Sequence, residues 1–362
     1  MAARVVVWGT GNVGRPAIRA VLAHPELELA GVVVHDPAKV GIDAGALANT
    51  DVAGVAATDD IRLATSDEVD AVVYAVNADF RPIESLDEAE QVVRAGNDLV
   101  TTSFYPMYHP PSMPATLADR FATACAEGEA SIFASGIDPG WTCDILPLFL
   151  NSVSAGVTEV RSQELFNYAL YDQPEAVRTL VGFGMPMDQT PPMVLDISLQ
   201  MVWGPVVRVL ADGLGIELDR IDTRVEKRPL ERTVTVDGMG DFEQGTIGAL
   251  RFEVEGVSAR GPRIVMEHIT RIDDGCAPDW PYPPQGQGAH RVIISGHPNL
   301  TVSVHGTELG EPGEDRACQG SAAPRILKGL RRVRAATPVV HHALDLPPPK
   351  GSTGCSRASL GV

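Results

Sequence analysis

Residues 4–14 of the chain read RVVVWGTGNVG, an apolar run that leads into three glycines spaced as GxGxxG. The run predicts a buried strand, and the apolar spacing of Asn12–Ala23 predicts a helix after it. In this setting Gly9 permits a tight turn, Gly11 admits a close backbone approach to a pyrophosphate, and Gly14 lets helix and strand pack closely. The helix N-terminus adds free N–H groups and a positive dipole end. The stretch therefore predicts a dinucleotide-binding turn formed by Gly9, Thr10, Gly11, Asn12, Val13 and Gly14.

Strand and helix patterns continue to alternate beyond this turn, up to about residue 150. Helical spacing occurs at Asp87–Ala95 and Ala115–Ala126, and the apolar runs are Leu27–Val34, Ala71–Val76, Leu99–Thr102 and Ser131–Ser135. Short strands that alternate with helices form a parallel sheet covered on both faces. We therefore predict an α/β protein whose residues 1–150 are a doubly wound Rossmann domain.

The middle of the chain has a different pattern, although Glu159–Tyr168 still reads as a strand and Val194–Leu214 as a helix. Short strands separated by Gly, Pro and Asp then follow at hairpin-like intervals; they are Glu231–Val236, Ala249–Val257, Arg263–Ile272, Arg291–Ser295 and Leu300–Val304. This pattern predicts a second, α+β domain over residues 151–310 with a largely antiparallel sheet. Residues 311–362 are predicted to be a basic tail, with a returning helix at about 323–336 and a disordered end.

Composition and charge exclude several classes of protein. The formal net charge is −18, and a surface of that sign repels nucleic acid and anionic membranes. No apolar stretch is long enough for a membrane span, and the N-terminus enters a strand rather than a secretory signal. The five cysteines form no CxxC pair or metal-ligand pattern. We therefore predict a cytoplasmic protein without a metal site and without a nucleic-acid or membrane partner.

The end of the second predicted strand is expected to meet the adenosine ribose of the cofactor. There Asp36 can accept from the ribose hydroxyls, which favours NAD, whereas Lys39 can pair with a 2′-phosphate, which favours NADP. Asp36 can equally be a turn residue before proline. The choice between NAD and NADP therefore stays open, and the residues predicted to line the cofactor site are His35, Asp36, Lys39, Ala75 and Asn77.

Two later loops follow parallel strands and are expected at the same edge of the sheet, where doubly wound folds bind ligands. Residues 101–109 read TTSFYPMYH, and residues 135–141 read SGIDPGW. His109 can act as a general acid or base, and Tyr105 can donate to a developing oxyanion; both can equally be packing residues. We predict Tyr105 or His109 as catalytic, and a substrate pocket between the domains that includes Phe104, Asp138, Trp141, Glu164, Tyr168 and Tyr171.

Several segments taken together resemble one family. They are GTGNVG at 9–14, LVTTSFYP at 99–106, SGIDPGW at 135–141 and ELFNYALYDQPE at 164–175. The chain resembles the dihydrodipicolinate-reductase-like oxidoreductases, which include 2,4-diaminopentanoate dehydrogenase and native amine dehydrogenases. The resemblance implies a Rossmann domain, a mixed C-terminal domain, a homodimer, and NAD(P)H-dependent interconversion of an amine with a ketone and ammonia.

The chain departs from that family at the catalytic glutamate, whose matching place is held by Phe104. No carboxylate occurs between Asp98 and Asp119, and amine chemistry needs an anionic group for ammonia and the iminium. We therefore expect an NAD(P)-dependent oxidoreductase acting on a C=O or C=N group of a small, largely apolar substrate, with plain carbonyl reduction favoured. The alternatives are an amine dehydrogenase in which Glu164 replaces the glutamate, and a non-catalytic dinucleotide-binding redox sensor.

Overall fold

The computed structural model describes residues 2–171, 173–286, 288–305, 330 and 338–345. Its described residues form two compact units. The first, here called the Rossmann unit, contains the chain up to Gly136 together with Leu330 and residues 338–345. The second, here called the sheet unit, runs from Ile137 to His305. The domain limits at 150 and 310 stay predictions, and most of the tail from residue 306 onward lies outside the described residues.

The Rossmann unit contains a seven-stranded sheet. Its strands are β1 (Ala3–Trp8), β2 (Leu27–Val33), β3 (Ala57–Thr58), β4 (Ala71–Tyr74), β5 (Asp98–Thr101), β6 (Ile132–Ala134) and, from the end of the described chain, β15 (Val340–His341). They lie in the order β15-β6-β5-β4-β1-β2-β3 and pair in parallel. The helices are α1 (Gly14–Leu22), α2 (Ala44–Leu47), α3 (Pro82–Arg94) and α4 (Ala115–Gly128). The predicted doubly wound fold is confirmed, with the strand order reversing between β1 and β4.

The core of the Rossmann unit follows from continuous apolar strands. Val5, Val6 and Val7 are all fully buried, as expected of a strand covered on both faces. One side of α1 is buried in the same core. Leu330, the one described residue of the helix predicted at 323–336, is helical and also buried there.

The sheet unit is built on a six-stranded sheet with the order β14-β13-β7-β12-β11-β8 and a separate hairpin of β9 and β10. The strands are β7 (Ala155–Asn167), β8 (Arg220–Pro229), β9 (Val234–Val236), β10 (Gly240–Phe242), β11 (Ile247–Val257), β12 (Arg263–Arg271), β13 (Gly288–His297) and β14 (Leu300–His305). The helices are α5 (Ile145–Asn151), α6 (Pro174–Ala176), α7 (Asp196–Val202) and α8 (Gly204–Leu214). All neighbours pair antiparallel except β7 and β12, which run parallel. The predicted α+β domain with a largely antiparallel sheet is confirmed.

The two faces of this sheet differ in chemistry, because successive side chains of a strand point to opposite faces. Trp203, at the start of α8, contacts Phe252 and His268, so the helix lies on the face that also carries Glu164. The opposite face carries ion pairs, among them Arg161 Nη1 to Glu267 Oε2 at 2.8 Å. This alternation places the residues of the functional site on the helix-covered face.

The Pro-rich segment around residues 276–286 is held by a buried arginine. Arg271 is only 2% exposed and donates to the carbonyl oxygens of Cys276, Ala277 and Trp280 at 3.0–3.1 Å. Its guanidinium carbon also lies 4.1 Å from the centroid of the Tyr282 ring.

Within the described residues, no helix has the length and apolar character needed to cross a bilayer.

Candidate cofactor and substrate sites

The glycine turn after β1 combines two crowded glycines with one open glycine. Gly9 has φ +103°, and a Cβ there would lie 2.7 Å from the carbonyl oxygen of Ala75. A Cβ on Gly14 would lie 1.9 Å from the carbonyl oxygen of Gly9. A Cβ on Gly11 would meet no atom within 4 Å. The turn is thus closely packed at Gly9 and Gly14 and open at Gly11. The open position fits the close approach of a pyrophosphate.

The residues after β2 lie next to this turn. Lys39 Nζ donates to Thr10 Oγ1 at 3.3 Å, which ties the second loop to the glycine turn. The Asp36 carboxylate accepts from the backbone N–H of Ala38 at 3.0 Å, so it caps a short 3₁₀ turn. The structure therefore shows Asp36 in its turn role and leaves its contact with a ribose as a proposal. The acidic Asp36 and the basic Lys39 therefore both lie near the glycine turn, and their positions do not decide between NAD and NADP.

The remaining predicted cofactor residues surround the same edge of the sheet. Asn12 Oδ1 accepts from Arg15 at 3.3 Å, and Val13 precedes the first residue of α1. Ala75 N donates to Trp8 O at 2.8 Å, which continues the β1–β4 pairing up to the turn. Asn77 Oδ1 accepts from the backbone N–H two residues later at 3.0 Å. These contacts position the backbone around the predicted phosphate site.

A buried carboxylate anchors His35 at this edge, which the sequence analysis did not foresee. Glu88 of α3 accepts from both terminal nitrogens of Arg81 at 2.9 Å and from the Tyr74 hydroxyl at 2.5 Å. His35 Nε2 lies 3.3 Å from Glu88 Oε1, and its ring stacks on Trp8 with centroids 6.1 Å apart. Burial opposes the ionised carboxylate, but the hydrogen bonds from His35, Arg81 and Tyr74 lower the pKa of Glu88 to about 2.

A carboxylate from a neighbouring loop lies next to the predicted catalytic loop after β5. Phe104 is buried and stacks on Tyr74, with ring centroids 5.5 Å apart. Burial and the neighbouring Asp79 carboxylate, which hydrogen-bonds with the Tyr105 hydroxyl, raise the pKa of Tyr105. Asp79 comes from the loop after β4, the strand next to β5. A carboxylate of the β4 loop therefore lies against Tyr105 of the β5 loop.

The second predicted catalytic residue lies in a packed position. His109 is buried, and its ring centroid lies 5.9 Å from that of His342, in the described segment 338–345. Its carbonyl oxygen accepts from the backbone and the hydroxyl of Ser112. A catalytic role for His109 stays a prediction.

In the sheet unit, one carboxylate lies between two histidines. Glu164 on β7 is paired in register with His268 on β12 and with His290 on β13. Residues opposite each other in a sheet point to the same face, so the three side chains meet. All three are buried, with exposures of 5%, 3% and 1% respectively.

A loop adds a second carboxylate to this group. The backbone from Ile137 to Thr142 folds into a tight turn, and Ser162 Oγ of β7 donates to the Thr142 carbonyl at 2.8 Å. The turn places Asp138 Oδ1 3.1 Å from His268 Nε2. Trp203 Nε1 donates to the same oxygen at 2.9 Å.

His268 lies between the two carboxylates. Its Nδ1 is 3.3 Å from Glu164 Oε1, on the opposite side of the ring from Asp138. Burial alone would lower the pKa of His268, but the charges of Glu164 and Asp138 raise it to about 10. Burial alone would raise the pKa of Glu164, but the charge and hydrogen bond of His268 hold it well below its usual range. The raised pKa of His268 and the lowered pKa of Glu164 thus describe an imidazolium paired with an ionised Glu164, with Asp138 against the other ring nitrogen.

The ligand atoms of Asp138, Glu164 and His268 lie within 4.8 Å of one another, a spacing that could also hold a metal ion. A metal-bound imidazole must offer a lone pair, whereas both nitrogens of His268 face carboxylate oxygens. The geometry fits two N–H donors better than it fits a metal ligand. The absence of a metal stays a prediction.

Of the predicted aromatic residues, Tyr168 contacts this group and Tyr171 stacks on Tyr168. The Tyr168 hydroxyl donates to Glu164 Oε1 at 2.8 Å, and its ring stacks on Tyr171 with centroids 5.0 Å apart. Phe183 packs against Tyr168 at 6.0 Å. Trp141 is half-buried. The sheet unit thus joins a fixed carboxylate to an apolar, aromatic surface.

Comparisons with known proteins identify the family of this chain. The N-terminal domain of dihydrodipicolinate reductase matches residues 3–104. An amine dehydrogenase from Streptomyces virginiae is 48% identical over 346 residues, which is 94% of this chain and 95% of the relative. The chain belongs to the dihydrodipicolinate-reductase-like amine dehydrogenase family. Its fold also matches the amine dehydrogenase from Mycobacterium smegmatis, with a TM-score of 0.72, 20% identity, and coverage of 97% of this chain and 98% of that one.

Membership of the amine dehydrogenase family decides the general function. The chain is an NAD(P)-dependent oxidoreductase, as predicted. Biliverdin reductase from Synechocystis sp. PCC 6803, solved with biliverdin and NADP+, has a similar fold at a TM-score of 0.50 and 14% identity, over 83% of this chain and 79% of that one. These matches do not favour the redox-sensor hypothesis, and they leave the choice between NAD and NADP open.

Proposed function

We propose that this protein oxidises a small, largely apolar amine to the imine, and reduces the imine in the reverse direction, with NAD(P) as the hydride carrier. The observation that carries the proposal is the buried, ionised Glu164 beside the stacked rings of Tyr168 and Tyr171. Amine chemistry needs such an anion, because ammonium and iminium groups are cationic. The names of the relatives from S. virginiae and M. smegmatis support the same reaction.

The oxidation balances as follows: the amine loses a hydride and a proton to give an imine, which water hydrolyses to a ketone and ammonia. A bound nicotinamide supplies the hydride-accepting carbon. We propose that the glycine turn at residues 9–14 holds the pyrophosphate, with Ala75 beside it, and that His35, Asp36, Lys39 and Asn77 line the rest of the cofactor site. Asp138 and Glu164 are proposed to face the substrate nitrogen, and Phe104, Trp141, Tyr168 and Tyr171 to contact its apolar part.

The proposal is tested with a panel of amines, ketones and alcohols. We expect NAD(P)-dependent oxidation of primary amines, and NAD(P)H consumption with ketones that requires added ammonia. Reduction of ketones that proceeds equally well without ammonia would instead support plain carbonyl reduction. Cofactor binding without turnover of any compound in the panel would support the sensor.

Tyr105 is proposed to be a catalytic acid, with Asp79 as the carboxylate that exchanges a proton with it. Tyr105→Phe removes the hydroxyl and keeps the ring, so we expect kcat to fall by roughly 100- to 1000-fold, the usual cost of losing one donor to developing charge. Steady-state kinetics at saturating cofactor measures the effect, with a thermal unfolding curve to show that the fold is retained.

His109→Gln is the comparison variant for Tyr105→Phe, because His109 is the other predicted acid and is buried against His342. We expect it to change kcat by less than about tenfold, which is less than the usual effect of a lost general acid or base. Parental kcat in Tyr105→Phe together with a large loss in His109→Gln would assign the proton to His109.

We further propose a homodimer that acts in the cytoplasm. The family resemblance supports the dimer, and light scattering on the purified protein tests it. The described cysteines Cys125, Cys143 and Cys276 are free and buried, which fits a reducing compartment. The net charge of −18 supports the proposal that neither nucleic acid nor an anionic membrane is a partner.

A further inference from the structure

We propose that Glu88 makes this protein prefer NAD over NADP, because it holds the arginine that would otherwise bind the 2′-phosphate of NADP. Glu88 acts through Arg81 and is therefore a positioning residue rather than a contact of the cofactor. The inference rests on the proposed function, since it uses the same cofactor site. It concerns the choice between the two cofactors, which the positions of Asp36 and Lys39 do not decide.

Arg81 lies beside the place where the adenosine ribose of the cofactor is expected. His35 follows β2, the strand whose end meets this ribose in doubly wound folds. Nη1 of Arg81, in the loop after β4, is 2.9 Å from Nε2 of His35. The side chains of His35 and Arg81 are 41% and 30% exposed, so a ligand can reach both from solvent. An arginine at this place is the group that accommodates the 2′-phosphate in proteins that bind NADP.

Glu88 already occupies this arginine. Both terminal nitrogens of Arg81 donate to the Glu88 carboxylate at 2.9 Å, which is the paired contact that guanidinium and carboxylate groups form best. Glu88 is only 8% exposed, and the Tyr74 hydroxyl donates to the same carboxylate. The hydrogen bonds that lower its pKa to about 2 keep it ionised at neutral pH. A 2′-phosphate would therefore have to share one guanidinium with a fixed anion.

Two further acids lie at this edge of the sheet. Glu84 is in the first turn of α3, and its charge adds to the hydrogen bond of Glu88 in raising the pKa of Arg81. Asp36 follows His35 directly, and one of its oxygens accepts from the backbone N–H of Ala38 at 3.0 Å. The second cation is Lys39, which donates to Thr10 Oγ1 at 3.3 Å. In this group the acids are Asp36, Glu84 and Glu88, and the permanent cations are Lys39 and Arg81.

The protonation state of His35 does not change the conclusion. Its Nε2 lies 2.9 Å from Arg81 Nη1, which can only donate, and 3.3 Å from Glu88 Oε1, which can only accept. The shorter contact requires a neutral ring, and the longer contact a proton on Nε2. With a neutral ring the group has two cations against three acids, and with a charged ring three against three. In neither state does this group have an excess of positive charge for a phosphate.

NADP differs from NAD only at the 2′ position of the adenosine ribose, where a phosphate replaces a hydroxyl. A phosphate monoester carries about −1.5 to −2 charges at pH 7, and its ionised oxygens only accept hydrogen bonds. The hydroxyl of NAD is uncharged and can donate to the second oxygen of Asp36. We therefore expect NADH to bind about 10- to 100-fold more tightly than NADPH, the size of one charged hydrogen bond.

Fluorescence titration of the parent protein with NADH and NADPH, at low and at high salt, is the first test. The two cofactors share the pyrophosphate, so the ratio of their Kd values isolates the 2′ position. Salt screens interactions between exposed charges. If the 2′-phosphate is repelled, the Kd of NADPH relative to that of NADH should fall as the salt concentration rises. An attracted phosphate would make the same ratio rise.

Glu88→Gln tests the positioning role, because it removes the charge that neutralises Arg81 and nearly keeps the shape of the side chain. We expect the affinity for NADPH to rise by about tenfold, while the affinity for NADH stays nearly constant. A merely structural role of Glu88 would weaken both cofactors alike and would not move their ratio. Unfolding curves accompany the variant, and should it not fold, the parental preference and its salt dependence still decide.

Glu90→Gln is the matched control on the same helix. Glu90 is also ion-paired, to Arg94 and Arg120, but its position two residues further along α3 points to another side of the helix. The substitution changes the net charge of the protein by the same amount. It should leave the ratio of the two Kd values as in the parent.

Equal or tighter binding of NADPH by the parent, a ratio that rises with salt, or a parental ratio in Glu88→Gln would each overturn the inference. An equal shift in Glu90→Gln would also overturn it, because net charge and not Arg81 would then set the preference. These outcomes are separate from failure of the proposed function, since they are measured by binding of the reduced cofactors alone. Absence of amine turnover rejects the proposed function and leaves the cofactor preference standing, whereas failure to bind either cofactor rejects both.

Discussion

Gly11→Val is expected to abolish binding of both NADH and NADPH while the protein stays folded. A Cβ at Gly11 meets no atom of the protein within 4 Å, so the added side chain is tolerated by the fold. It fills the space in which the cofactor pyrophosphate approaches the backbone. Loss of two charged hydrogen bonds to that phosphate corresponds to about 3–6 kcal/mol, or roughly a 100- to 10,000-fold weaker complex. Fluorescence titration with NADH and NADPH measures it.

Gly14→Ala provides the contrast within the same motif. Its Cβ would lie 1.9 Å from the carbonyl oxygen of Gly9, a backbone atom that cannot turn aside. We expect this variant to lose stability by several kcal/mol, which is at or above the usual cost of overpacking. If Gly11→Val binds the cofactors as tightly as the parent does, the phosphate binds elsewhere. If Gly14→Ala is as stable as the parent, the turn is looser than the close contact at Gly14 indicates.

His268→Gln is expected to destabilise the protein by about 3–5 kcal/mol near pH 6, because it removes one partner of a buried ion group and leaves two carboxylates facing each other. His268 is 3% exposed, so solvent does not screen the loss. Chemical unfolding at several pH values measures the free energy of unfolding of both proteins. Glu253→Gln serves as the control, because Glu253 is buried and ion-paired in the same sheet but lies on the face opposite to Glu164.

The effect should depend on pH in a defined direction. The pKa of His268 is raised to about 10 in the folded protein, against an ordinary value of about 6.5. Its stabilisation is therefore complete below about pH 6.5 and disappears as the pH rises toward 10. The pKa of Glu164 is lowered, so its contribution is present above about pH 4.5 and is lost as the pH falls. A constant difference between parent and variant from pH 6 to 10 would contradict the imidazolium assignment.

The Rossmann unit was largely predictable because its signals are local. A glycine turn between β1 and α1, and apolar runs buried on both faces, are properties of short segments of sequence. The strand β8 was not singled out, because RIDTRVEKRP alternates charges with few apolar residues. Those charges belong to the ion-paired face of the sheet, whose stability depends on neighbours such as Arg251 and Glu253 rather than on apolar burial.

The substrate site was only half predictable for a related reason. Asp138 and Glu164 lie in segments with recognisable local patterns. Asp138 is in a glycine-rich turn, and Glu164 precedes two tyrosines. His268 lies in a predicted strand and His290 just before one, both more than a hundred residues further along the chain. Only the register of β12 and β13 against β7 brings them to Glu164. Asp79 is not evident from the sequence of the β5 loop, because it follows β4, and only the parallel pairing of β4 with β5 brings the two strand ends to one edge of the sheet.

The in-register placement of Glu164 opposite His268 has a consequence for how the sheet assembles. If β12 slid by one residue against β7 in one direction, Glu267 would take the place of His268 and two carboxylates would oppose each other. A slide in the other direction would place Ile269 there and leave Glu164 without its counter-ion. Both errors would be penalised electrostatically at the centre of the sheet. The residues that are proposed to recognise the substrate thus also disfavour misaligned pairing of β12 with β7 during folding.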